Sequence, residues 1–177
     1  MLLHASQSVL MVVDVQARLL PAMAEPDLVT GNSVKLVAAA KRLAIPVLVS
    51  EQYPKGLGPT VDSLKEAGTV LAKLSFSCAA DPGIAQALER LGRRQIVLCG
   101  IESHVCVLQT ALGLKAKGYE VAVVWDAVSS RKLADKELAA PRLRAGGVSL
   151  IGTEMAIFEW LGAAGTPEFK ELSALIK

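Results

Sequence analysis

The chain has 177 residues, of which 52% are hydrophobic and 20% charged, and its formal net charge is +2. A chain of this length and apolar content can bury a single extended core, so we expect one domain over residues 1–177. Its basic residues are scattered along the sequence. This argues against nucleic acid as the main partner, because sites that track a phosphate backbone need clustered positive charge.

The three cysteines, Cys78, Cys99 and Cys106, form no C-x-x-C pair and cannot all be bridged, which is typical of a reducing compartment. The first residues carry no basic region, and the apolar run after them is interrupted by Asp14. We therefore expect neither a signal peptide nor a membrane span, and a cytoplasmic location. No His/Cys cluster has metal-ligand spacing, so we expect no metal and no cofactor.

Short runs rich in β-branched residues alternate with longer helical patterns along the chain. The predicted strands are residues 9–13, 47–50, 70–74, 95–99, 120–125 and 148–151. The predicted helices are residues 27–43, 81–91, 104–117 and 132–145. Residues 51–60 contain two prolines and two glycines and are predicted to form one long ordered loop. Most of the strands are continuously apolar, as strands covered on both faces are.

This alternation predicts a doubly wound α/β fold, a three-layer αβα sandwich around a six-stranded parallel sheet. The usual strand order for such a sheet is 3-2-1-4-5-6, which makes strands one and four neighbours where the winding reverses. Ligands bind at that point, beyond the carboxyl ends of the strands. Strand one ends at Asp14 and strand four leads to Cys106, so this topology brings a carboxylate and a thiol together.

Three residues near strand ends are the candidate catalytic groups, and each has a plain structural alternative. Asp14 follows five apolar residues and is either a helix cap or a site residue. Lys73 interrupts an apolar run, where a lysine usually extends its ammonium to solvent. Cys106 opens a predicted helix, although lone cysteines are most often inert core residues.

Together these three groups could act as a hydrolase. Asp14 would take the thiol proton, Cys106 would attack a carbonyl, and Asp14 would return the proton to a leaving amine. The start of a helix biases a cysteine toward thiolate, and a nearby Lys73 ammonium would lower the thiol pKa further. Backbone N–H groups at the helix start would hold the oxyanion.

Several motifs resemble the isochorismatase-like cysteine hydrolase superfamily over nearly the whole chain. They are D-V-Q at residues 14–16, K-L-S-F-S at 73–77, G-I-E-S-H-V-C at 100–106 and D-A-V-S-S-R at 126–131. The resemblance implies an Asp14, Lys73 and Cys106 triad. It also implies a cis peptide bond at Ile101–Glu102, with the backbone N–H groups of Glu102 and Cys106 forming the oxyanion hole.

The chain is most similar to the isochorismatase domain-containing branch, which also carries motifs like E-Q-Y-P-K-G-L-G at residues 51–58 and E-M-A-I-F at 154–158. Nicotinamidases of this fold have an Asp-x-His metal motif after strand two, where this chain reads Glu51-Gln52-Tyr53. We therefore expect no zinc. Isochorismatases that cleave a vinyl ether lack the nucleophilic cysteine, so the resemblance implies a carbon–nitrogen hydrolase acting on a small amide-like molecule.

His104 offers a rival mechanism as a base for the thiol, but residues two apart on a helix do not face each other. Cys78 and Cys99 are expected in the core or behind the site. The substrate-pocket candidates flank the proposed site in sequence and are Gln16, Leu19, Tyr53 and Phe76. Helix packing is an equal alternative for Leu19 and Phe76.

Near the carboxyl end, residues 155–161 carry more apolar side chains than one helix face normally buries. Core packing explains part of this surface, and we expect the rest to support a homo-oligomer, as the resemblance also suggests. Two other functions stay open. One is a non-catalytic binding or scaffold protein that retains the fold, and the other is redox sensing by the Cys106 thiol.

Overall fold

Six parallel strands form one sheet in the order β3-β2-β1-β4-β5-β6, as predicted. The structure is a computed structural model and describes residues 1–176. The strands are β1 (Ser8–Val13), β2 (Val47–Gln52), β3 (Thr69–Lys73), β4 (Gln95–Ile101), β5 (Glu120–Ser129) and β6 (Ser149–Ile151). The reversal of winding falls between β1 and β4, where Val13 is paired with Gly100.

The helices lie on both faces of the sheet. They are α1 (Pro26–Arg42), α2 (Pro54–Leu57), α3 (Pro82–Leu91), α4 (Leu108–Ala116), α5 (Leu133–Ala145), α6 (Thr153–Leu161) and α7 (Pro167–Ser173). Short 3₁₀ helices occupy Ala5–Gln7, Leu20–Ala22, Cys78–Ala80 and Ala174–Ile176, and a π-helix occupies Ser103–Val107. Over the described part of the chain, no helix is both long and apolar enough to cross a membrane.

Alternate residues of β1 enter two separate cores, which explains the unbroken apolar run of this strand. Leu10 and Val12 pack with residues of α1 and α6. Val9, Met11 and Val13 pack with residues of α3, α4 and α5. Because both faces of β1 are covered, its side chains are all buried.

Strand β3 lies at one edge of the sheet and differs from the central strands. It pairs only with β2 among the named strands. Val70 is 42% exposed, whereas Lys73 at the end of the strand is buried. The apolar run therefore predicted the strand correctly, and β3 is an exception to the burial expected for most of the strands, as its position at the edge of the sheet allows.

The long loop predicted for residues 51–60 is only partly a loop. Strand β2 continues to Gln52, and α2 forms over Pro54–Leu57. Proline at the first position of α2 has a φ suited to a helix, and Gly58, at φ 77°, ends it. A β-bridge between Thr60 and Gln16 then fastens the segment to the chain after β1.

The helix predicted to begin at His104 instead begins as a π-helix, Ser103–Val107, which α4 follows. The Glu102 carbonyl accepts the N–H of Val107 at 3.1 Å, five residues on. The spacing of apolar residues does not distinguish one π-helical turn from α-helix, so the sequence did not predict the π-helix. The predicted start of α3 is confirmed, since the Asp81 carboxylate accepts N–H groups of its first turn.

Gly100 allows β1 and β4 to approach closely beside the site. A Cβ atom at this position would lie 2.1 Å from the Val13 carbonyl oxygen, and Gly100 has φ 111°. Both the space and the backbone conformation exclude a side chain. The end of β1 and the segment that carries Cys106 are therefore held next to each other by a glycine.

Candidate active site

Asp14 and Lys73 form a buried ion pair at the carboxyl edge of the sheet. The Lys73 Nζ atom lies 2.7 Å from Asp14 Oδ2, and both side chains are completely buried. The other carboxylate oxygen of Asp14 accepts the hydroxyl of Ser50 at 2.7 Å. Asp14 itself has φ 52°, a region that costs a non-glycine residue energy and that is concentrated at functional sites.

The ammonium of Lys73 is fully satisfied inside the protein. Besides Asp14, it donates to Gln52 Oε1 at 2.7 Å and to the Phe76 carbonyl at 3.1 Å. The alternative in which Lys73 extends to solvent is therefore wrong. Asp14 likewise caps no helix, because its two oxygens serve Ser50 and Lys73.

Cys106 lies in the π-helix beside this pair and is 5% exposed. Burial is the main cause that raises the pKa of its thiol, and the Asp14 carboxylate raises it further through its charge and a hydrogen bond. Lys73 acts in the predicted direction and lowers the pKa, but it does not compensate. The direction is opposite to the predicted bias toward thiolate, because burial and the Asp14 carboxylate together outweigh the Lys73 ammonium.

The other two cysteines are buried, as expected. Cys78 lies close enough to the ion pair for both charges to act on it, and burial raises its pKa. Cys99 belongs to the core on the opposite face, with Val97 and Ile101, and burial raises its pKa to about 12. Of these two cysteines, only Cys78 therefore lies near the Asp14–Lys73 pair.

The carbonyl and the carboxylate of Glu102 both accept hydrogen bonds, whereas its backbone N–H donates none within residues 1–176. Its carbonyl accepts the N–H groups of Val105 and Val107, both at 3.1 Å. Its carboxylate accepts the backbone N–H and the Nε of Arg131, at 3.1 and 3.0 Å. Within residues 1–176 the Glu102 N–H has no hydrogen-bond acceptor. The peptide bond between Ile101 and Glu102 is cis, as the family resemblance implied.

The contacts of the His104 ring do not fit the role of a base for the Cys106 thiol. Its Nδ1 atom lies 2.9 Å from the hydroxyl of Ser130. Its Nε2 atom lies 4.0 Å from a carboxylate oxygen of Asp135. With both ring nitrogens facing these partners, His104 forms no Cys106–His104 pair.

The four pocket candidates have different surroundings. The Gln16 amide is buried and donates to the carbonyls of Gln52 and Gly58, at 3.0 and 2.7 Å, so it fastens the segment after β2. Leu19 is half-buried and packs against the core on the α1 face. Tyr53 and Phe76 are exposed. Their contact with a substrate stays a prediction.

A cavity of about 350 Å³ opens at this edge of the sheet. Its lining residues are Pro54, Ala72, Lys73, Leu74, Ser75, Ala80, Asp81 and Pro82. In the part of the chain described, no three His, Cys, Asp or Glu side chains are grouped so that they could hold a metal ion.

The sequence analysis missed two residues that shape the site, Ser50 and Gln52. Ser50 bonds to Asp14, and Gln52 bonds to Lys73. The signal was present, because both are polar residues that follow the apolar run at the start of β2. The same reasoning about strand ends that identified Asp14 would have found them.

The chain can now be compared with known proteins. A protein-family model described as "Isochorismatase domain" matches residues 8–155. The chain belongs to the isochorismatase family. Within this family, human isochorismatase domain-containing protein 2 is 40% identical over 172 residues, which cover 96% of this chain and 83% of that protein. Isochorismatase domain-containing protein 1 of Salmo salar is 39% identical, and the chain spans 59% of its length.

Two solved structures of the same fold are also similar. "MAR1 Ribonuclease from Caenorhabditis elegans" has a TM-score of 0.93 and 37% identity, and the match covers 99% of this chain and 92% of that chain. The YcaC gene product of Escherichia coli, described as "an octameric hydrolase of unknown specificity", has a TM-score of 0.92 and 23% identity. That match covers 98% of this chain and 90% of the other. Family membership confirms the resemblance and supports a hydrolase.

Proposed function

We propose that this isochorismatase-family protein is a metal-independent cysteine hydrolase of small amide-like substrates, with Asp14, Lys73 and Cys106 as its catalytic triad. One observation carries the proposal: the Cys106 thiol, whose pKa burial raises, adjoins a fully buried carboxylate–ammonium pair. Such a thiol needs a base before it can attack, and Asp14 is the carboxylate beside it.

The proposed reaction has two stages. In the first, Asp14 takes the Cys106 proton while the sulfur forms a bond to the substrate carbonyl carbon. The tetrahedral intermediate then expels the amine, which receives that proton from Asp14, and a thioester on Cys106 remains. In the second, Asp14 takes a proton from water, the hydroxide attacks the thioester, and the acid leaves as the thiol regains a proton.

Lys73 has an electrostatic role in this scheme. Its ammonium keeps the position of Asp14 fixed through a 2.7 Å contact while the proton passes between sulfur and carboxylate. The oxyanion of the tetrahedral intermediate would accept hydrogen bonds from the Glu102 and Cys106 N–H groups. No acceptor for the Glu102 N–H is present among residues 1–176, which supports this assignment.

Of the proposed triad, only Lys73 lines the cavity of about 350 Å³, so the small size of the substrate stays a prediction from the family resemblance.

We also propose a homo-oligomer. On α6, Met155 and Phe158 are 52% and 42% exposed, and the E. coli structure of this fold is described as octameric. Light scattering at micromolar concentration tests this, and a monomeric mass would contradict it.

The decisive experiment is mass spectrometry of the protein incubated with a library of small amides. We expect an acyl adduct on Cys106 and turnover that Cys106→Ala abolishes and EDTA leaves unchanged. Cys99→Ala is the matched control, because Cys99 is a buried cysteine on the opposite face and should keep its activity. Turnover that survives Cys106→Ala would refute the proposal, whereas binding without any adduct would favour the scaffold alternative.

A second candidate function, RNA hydrolysis, comes from the description of the C. elegans structure as a ribonuclease. A labelled single-stranded RNA incubated with the wild-type protein tests it. We expect no cleavage, because the charge of the chain is only +2 and its basic residues are scattered. Cleavage that persists in Cys106→Ala and is lost in Asp14→Asn would favour this second function.

A further inference from the structure

The two residues that follow β5, Ser130 and Arg131, hold the segment that precedes Cys106 at two points. Arg131 binds the Glu102 carboxylate through its backbone N–H and its Nε, at 3.1 and 3.0 Å. Ser130, the adjacent residue, shares a 2.9 Å hydrogen bond with His104 Nδ1. We call these contacts the 130–131 clamp. None of its four residues is a member of the proposed triad.

The clamp is itself firmly attached to the fold. The Ser130 carbonyl accepts the Ala24 N–H at 3.0 Å, and the Ser130 side chain is completely buried. Glu102 is 7% exposed, and its pair with Arg131 has one exposed partner, since the Arg131 side chain is 61% exposed. The contact thus combines a buried carboxylate with a backbone N–H donor that every substitution of Arg131 except proline leaves in place.

The consequence for Glu102 is that two of its three polar groups are immobilised. The carbonyl is held by the π-helix and the carboxylate by Arg131, so the direction of the remaining N–H is fixed. A donor fixed in advance stabilises a developing oxyanion without reorganising. We infer that Glu102, through its side chain, and Arg131 are positioning residues that orient the oxyanion-donating N–H. This inference rests on the proposed cysteine hydrolase function.

The test compares two reactions of the same thiol. p-Nitrophenyl acetate acylates Cys106 through a tetrahedral oxyanion, whereas iodoacetamide alkylates it by displacement and forms none. We expect Glu102→Leu to lower the acylation rate by up to about a hundredfold, the effect of misplacing a catalytic group by about 1 Å, while the alkylation rate stays near that of the wild type. Glu102→Gln, which keeps an acceptor for the Arg131 N–H, should recover much of the lost rate.

Two further variants keep the test informative if Glu102→Leu folds poorly. Arg131→Lys keeps the charge and the backbone donor but loses Nε, and it should lower acylation selectively. Arg42→Leu breaks an exposed ion pair with Glu168 and Glu171 and should change neither reaction. Equal acylation in all folded variants, or a parallel fall in both reactions, would overturn the inference. Wild-type protein that is alkylated but never acylated would instead refute the hydrolase proposal.

Discussion

Replacing Lys73 by methionine should destabilise the protein strongly, because it leaves a buried carboxylate without its counter-ion. The Nζ of Lys73 serves three acceptors, Asp14 Oδ2, Gln52 Oε1 and the Phe76 carbonyl. Methionine fills a similar volume but donates to none of them. Removing one partner of a buried ion pair costs about 3–5 kcal/mol. In a domain of this size each kcal/mol lowers Tm by about 2–4 °C, so Tm should fall by about 6–20 °C.

A second variant separates the unpaired charge from the loss of packing. Asp14→Asn with Lys73→Met removes both charges, and asparagine tolerates the left-handed φ of 52° at residue 14. The double variant should recover a substantial part of the lost stability, because no buried charge is left uncompensated. As a matched control, Lys65→Met breaks the exposed 3.6 Å pair with Asp62 and should cost less than about 1 kcal/mol.

The measurement is urea unfolding followed by circular dichroism at one fixed protein concentration, so that any association is constant. The free energy of unfolding in water is compared at neutral pH for the four proteins. A cost for Lys73→Met as small as that of Lys65→Met would refute this account of the pair. So would a double variant that is less stable than Lys73→Met alone, since the unpaired charge would then not be the cause.

Three other predictions concern the scaffold. Burial raises the pKa of Cys99 to about 12. The contribution of this thiol to the free energy of unfolding is therefore complete below about pH 9 and is lost as the pH rises toward 12. In urea titrations, Cys99→Ala should flatten this decline in the free energy of unfolding by about 1.4 kcal/mol per pH unit. Asp81→Ala removes the cap of α3 and should cost about 1 kcal/mol by the same measurement, and no loss would contradict the capping role. Gly100→Ala should destabilise far more than Gly92→Ala, because only at Gly100 would the new Cβ meet backbone atoms; equal melting temperatures would contradict the close approach.

Much of the fold could be predicted because burial dictates residue type at its centre. The unbroken apolar run of β1 required covered faces, and the strand order followed from the alternation of strands with helices. The exposure of β3 did not follow from its own apolar residues, although the predicted strand order already placed this strand at an edge of the sheet. The π-helix at Ser103–Val107 could not be predicted from the sequence either, because it differs from α-helix by one hydrogen-bond register.

The proximity of Asp14, Lys73 and Cys106 was predictable from the sequence, but the electrostatics around the thiol were not. Polar residues at strand ends identified Asp14 and Lys73, and the structure joins them at 2.7 Å. The pKa of Cys106 depends on how deeply the thiol is buried and on the nearby Asp14 carboxylate. Neither quantity is encoded in local sequence, which reports only that a cysteine opens a helical segment. The prediction from helix position therefore had the wrong sign.

The edge position of β3 has a consequence for how the site is lost. Asp14 follows β1 at the centre of the sheet, whereas Lys73 ends a strand with one neighbour and mostly exposed side chains. Edge elements with few buried contacts open at lower free energy than the core does. Partial opening of β3 would withdraw the ammonium while the carboxylate stays in place. Amide hydrogen exchange at residues 69–73 should therefore report the integrity of the site before any global unfolding is detected.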